Sequence, residues 1–141
     1  MISAARLSHS VAAATAAIAL TLSGALALAA DAKLTGASEV PPVNTSATGE
    51  SVIAVAADGS VTGSVKTTAI EGTMAHIHLG AAGKNGGVIV PLAKGADGIW
   101  MVPPGAKLTA EQLTSYKAGE LYVNVHSDAH KGGEIRGQLM P

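Results

Sequence analysis

The side chains best suited to chemistry are four histidines beyond residue 30: His76, His78, His126 and His130. Met74-Ala75-His76-Ile77-His78-Leu79-Gly80 reads as a strand, in which side chains alternate between faces, so His76 and His78 share one face. Their Cα atoms then lie roughly 6.5 to 7 Å apart, close enough for both rings to reach one ion. In Leu121-Tyr122-Val123-Asn124-Val125-His126 the same alternation puts Tyr122, Asn124 and His126 together and turns Leu121, Val123 and Val125 the other way. If the two strands share a sheet, three imidazoles and an amide meet on its polar side. His130 follows in a glycine-bounded loop and is a candidate fourth ligand. An all-imidazole set suits square-planar Cu(II) or tetrahedral zinc. The structural alternative needs no ion: His76 hydrogen-bonds Asn124 across the ladder and fixes register.

Other chemistry has less support. Ser127 and Asp128 flank His126 in sequence, but neighbours on alternating faces are badly placed for a proton relay. Glu134 and Arg136 share a strand face, which favours an ion pair over a role for Glu134 in orienting a ligand histidine. Met74, Met101 and Met140 are dispersed and read as core or edge residues. No cysteine is present, so a metal must be held by His, carboxylate, Met or carbonyl oxygen.

The elements that must position these residues are short strands. Lys33 to Ala37 begins extended, and Glu39-Val40-Pro41-Pro42-Val43 must be an edge or connection, because two prolines cannot donate to a ladder. Gly49 to Ala57 and Ser60 to Ala69 form a hairpin about Asp58-Gly59. Val61 and Val65 face one way there, and Thr62, Ser64 and Lys66 the other. Gly80 to Gly87 lacks the spacing of a nucleotide-binding loop and leads into a strand, so it reads as a hairpin loop. Val88 to Leu92 and Gly98 to Val102 are further strands joined by Ala93 to Asp97, and Glu134 to Leu139 is the last. One helix of about two turns is expected, with Thr109 as its N-cap, Leu113 and Tyr116 facing inward and Gly119 ending it. Seven to eight strands and one short helix make an all-β Greek-key sandwich.

Residues 1–30 read as an export signal: Arg6 lies in the opening stretch, and Val11 to Ala30 is an uncharged Ala- and Leu-rich run with small residues at two cleavage points. Residues 31–141 are one domain, expected in the periplasm or secreted, with no stable membrane span after cleavage. The whole chain has a net charge of −1, which argues against nucleic acid as a partner. An exported protein meets copper more freely than a cytosolic one does, so copper is placed before zinc.

Leu34-Thr35-Gly36, Glu39-Val40-Pro41-Pro42-Val43, Ala75-His76-Ile77-His78-x-Gly80 with Asn85-Gly86, Leu121 to His126, and Gly133-Glu134-Ile135-Arg136-Gly137-Gln138-Leu139 occur in an order that resembles the CHRD domain. That module was first described in chordin, and it also stands alone in many exported bacterial proteins. The resemblance runs from Lys33 to Leu139 and implies an immunoglobulin-like or superoxide-dismutase-like β-sandwich. Chordin binds growth factors of the bone morphogenetic protein class, whereas stand-alone members generally lack an assigned activity. A weaker likeness to copper-zinc superoxide dismutase rests on His76-x-His78. It departs from that family in having no cysteine pair and no zinc loop rich in His and Asp. Three functions follow as expectations: metal binding through the histidines, recognition of an exported protein partner with structural histidines, and dismutase-type redox chemistry. A binding role is expected ahead of an enzymatic one.

Overall fold

The computed structural model describes residues 28–141. The expected export signal therefore lies outside the described residues, except for its last three, which enter the first strand. Nine strands follow in chain order: β1 (Leu28–Thr35), β2 (Thr48–Val55), β3 (Val61–Thr68), β4 (Gly72–Leu79), β5 (Val88–Pro91), β6 (Ala93–Lys94), β7 (Ile99–Met101), β8 (Leu121–Ser127) and β9 (Ile135–Leu139). One α-helix, α1 (Ala110–Lys117), separates β7 from β8, and a short 3-10 turn (Gly36–Ser38) follows β1. All pairings are antiparallel, in the order β5-β4-β8-β9-β1-β2-β3-β7-β6.

The sheet is all but closed. Its two edges, β5 and β6, are successive parts of one stretch, Val88 to Lys94, interrupted only by Leu92. At that corner the Leu92 amide donates to Ala75 O at 2.9 Å, and Lys94 Nζ donates to Gly72 O at 2.6 Å. The stretch thus leaves β4 and joins β7, a device by which a strand turns a corner between layers. The sequence reading treated Ala93 and Lys94 as a connection, because a two-residue strand has no alternation to detect.

Inward residues of the two halves fill one core. Ile53, Val65, Val123, Val125, Ile135 and Leu139 are buried within it, and each such side chain contributes about 1.5 to 3 kcal/mol. Trp100 is buried on β7 and packs so close to Gly72 that a Cβ there would lie 2.8 Å from the indole. The hairpin about Asp58-Gly59 forms as expected, with Asp58 Oδ1 accepting from the Ser60 amide at 3.0 Å. The helix carries the expected Thr109 cap. Thr109 Oγ1 accepts from the Gln112 amide at 3.2 Å, and Gln112 Oε1 accepts from the Thr109 amide at 2.9 Å. Tyr116 points into the core, and Gly119 ends the helix at φ +73°. Among the described residues no helix is long and apolar enough to cross a membrane.

Candidate metal centre

β4 and β8 lie side by side with His78 opposite Tyr122, His76 opposite Asn124 and Met74 opposite His126. Ala75, Ile77, Val123 and Val125 fill the core, so the histidines occupy the other face. Both β4 imidazoles lean towards the residue two places further along β8. His76 Nδ1 lies 3.0 Å from His126 Nε2, and His78 Nε2 lies 2.9 Å from Asn124 Oδ1. One nitrogen from each of the three rings falls within 4.8 Å of the others.

The neighbours fix how His126 is presented. Its Nδ1–H donates a hydrogen bond to the Lys131 carbonyl oxygen at 2.9 Å, which leaves Nε2 with a lone pair aimed at His76. A histidine whose far nitrogen is held by a carbonyl is the usual arrangement of a metal ligand. Two nitrogens at 2.0–2.1 Å from one ion lie about 3 Å apart, the separation found between His76 and His126. Burial, then the proximity of His126 and His78, holds the His76 imidazole below its usual range, and burial does the same for His78. Both shifts favour the neutral ring, the form that binds a metal.

His78 is more tightly engaged than the other two. Its Nδ1 faces Gly86 O at 2.9 Å, its Nε2 faces Asn124, and its ring stacks on Tyr122 at a centroid distance of 4.7 Å. Asn124 continues the chain, with Nδ2 3.4 Å from Glu39 Oε1. Burial raises the Glu39 carboxyl above its ordinary range, against the Asn124 amide and the charge of Arg136. With the amide in this orientation His78 would have to donate from both nitrogens, as an imidazolium beside a Glu39 carboxylate, which the lowered pKa of His78 and the raised pKa of Glu39 disfavour. With the amide turned over, His78 is neutral and Glu39 carries the proton. Either way, one proton serves the whole chain. Its tight packing depends on Gly133, at φ +125°, where a Cβ would lie 2.3 Å from Glu39 Oε1.

Much of the polar side of the sheet is covered, although His76 stays partly exposed. Tyr122, Asn124 and Arg136 are all buried, because residues 80–87 and 39–43 fold across them. Arg136 directs its guanidinium at that cover: it donates to Asn85 Oδ1 at 3.3 Å, Ala81 O at 3.2 Å and Lys84 O at 2.7 Å. Its Cζ lies 3.4 Å from the Tyr122 ring centroid, and Asn85 Nδ2 donates to Val40 O at 2.8 Å.

The structure thus brings His76, His78 and His126 together but not His130. The His130 amide donates to Ser127 Oγ at 3.2 Å, and its backbone closes the turn between β8 and β9. Two finer expectations are corrected. Asn124 takes His78 instead of His76, because the β4 imidazoles lean along the strand. Glu134 pairs with neither Arg136 nor a ligand histidine: it accepts from the Thr45 hydroxyl at 2.6 Å and from Ser127. Although burial raises Glu134, those hydroxyls and His130 hold it below the ordinary carboxylate range. Among the described residues the one ion pair joins Lys107 and Asp58 at 3.8 Å. Sequence reasoning did not find the Lys131 carbonyl, Glu39 or the clamp of Arg136. Glu39, Gly133 and Arg136 all lie in the motifs that carried the family resemblance, which was their only signal.

A family model described as the CHRD domain matches residues 30–139. Neither a curated protein nor a solved structure matches the chain.

Proposed function

The chain belongs to the CHRD domain family, and from its cluster of imidazoles we propose an exported, single-domain protein that binds a transition metal, copper before zinc, through His76, His78 and His126. The observation that carries this reading is the 3.0 Å approach of His76 Nδ1 to His126 Nε2, with the far nitrogen of His126 held by Lys131. His76 and His126 form the primary pair. His78 joins them by giving up its bond to Asn124, which then serves Glu39 alone. Copper stands before zinc because imidazole is a good ligand for both, while the divalent affinity order places copper higher.

The test is metal analysis and titration of the protein with Cu(II) and Zn(II), beside a His76→Ala/His126→Ala double variant. One equivalent of copper bound by the unsubstituted protein, and at least about a hundredfold weaker binding by the variant, is the expected result. Copper uptake equal in the two proteins would sink the proposal. A second reading, recognition of an exported protein through the loops with structural histidines, is favoured by the two bonds already made by His78. It predicts that the double variant loses stability without any change in metal content.

A further inference from the structure

Met74 occupies the place on this face that the three histidines leave unused. It precedes His76 by two residues on β4 and sits directly opposite His126 on β8, so it neighbours both members of the primary pair. On the other flank of His76 stands His78, held inward by Gly86 and Asn124. Met74 is 49% exposed, although it is apolar, whereas Ala75 and Ile77 beside it are buried. The ladder register also shifts between Gly72 and Met74. Such bulges re-aim a side chain and are common next to functional sites.

The geometry points to Met74 as a thioether ligand that completes the His76–His126 pair from its open side and tunes the site to Cu(I) over zinc. This rests on the metal reading above. Cβ atoms of opposed residues in an antiparallel pair are about 4.5 to 5.5 Å apart, and the methionine sulfur lies two bonds further out on a flexible stem. The sulfur therefore reaches an ion held between the two imidazoles without any backbone movement. A thioether is a soft ligand that selects Cu(I), while imidazole alone serves zinc equally well. One sulfur added to two neutral imidazoles thus favours Cu(I) over zinc, adding a soft-ligand preference to the divalent order of the histidines.

The experiment titrates the protein with Cu(I), kept reduced and in competition with a chromogenic Cu(I) chelator, and separately with Zn(II). Three forms are compared: unsubstituted, Met74→Leu and His76→Ala/His126→Ala. The expected result is that Met74→Leu weakens Cu(I) binding about tenfold or more and leaves zinc binding unchanged. X-ray absorption of the Cu(I)-loaded protein should show a sulfur scatterer that the leucine variant lacks. Unchanged Cu(I) affinity in Met74→Leu, with binding lost in the histidine variant, overturns the thioether and leaves the histidine reading standing. Failure of the unsubstituted protein to bind Cu(I) or Cu(II) overturns both. Met74 is exposed and leucine is apolar and similar in size, so circular dichroism should show the variant to be folded.

Discussion

At His76 and His78 the depressed protonation has a defined sign. As pH falls below the ordinary imidazole value of about 6.5, the unfolded chain takes up protons before the folded one does. Stability is therefore full above that value and is lost as pH falls from it towards the lower folded values. Glu39 acts in the opposite sense: its raised carboxyl stabilises the fold below about pH 4.3, and that contribution is lost as pH rises through the folded value. Urea midpoints measured against pH should show His76→Asn flattening the decline just below about pH 6.5 relative to the variant's own plateau above about pH 7. The shared face of His76, His78 and His126 was legible in the sequence, since alternation along a strand fixes it. Which ring would meet which partner was not, because that depends on the register of β4 against β8 and on the lean of the side chains.

At the scale of elements, the loop of residues 80–87 is the part whose role composition concealed. Its glycines announce a turn between two strands, and it makes that turn, but nothing local shows that Arg136 and Gln138 draw it down over the histidine face. Gln138 Nε2 donates to Gly80 O at 2.9 Å, and Tyr122 Oη accepts from the Gly86 amide at 3.1 Å. The cover buries Tyr122, Asn124 and Arg136 on that face, while His76 stays partly exposed. Arg136→Met keeps the apolar bulk but leaves the Lys84 carbonyl without the guanidinium donor and the Ala81 carbonyl with the Lys84 amide alone. It should lower stability by about 2 to 4 kcal/mol in chemical unfolding. Amide exchange across residues 81–86 should quicken in the same variant, and His78, deprived of the fixed Gly86 carbonyl, should hold its ring less firmly.

Taken whole, the molecule is one continuous ladder around one core, and its unfolding should be a single event. Trp100 lies on β7, across the core from the histidine strand, so indole fluorescence and far-ultraviolet circular dichroism should report the same midpoint. Leu92→Ala, at the corner where the strand changes partners, should move both signals together and cost about 2 to 5 kcal/mol. The all-β class was legible from Gly and Pro spacing and from the runs of Val and Ile. The corner was not, since Pro91 and the short stretch after it look like punctuation between strands. Along this nearly closed wall β1 meets β9 through a single ladder partnership, Thr35 with Arg136. The side chain of the same arginine grips the cover over the imidazoles, so a displacement of the first strand should be felt at that cover. One residue thus ties the opening strand of the domain to the roof of its histidine face.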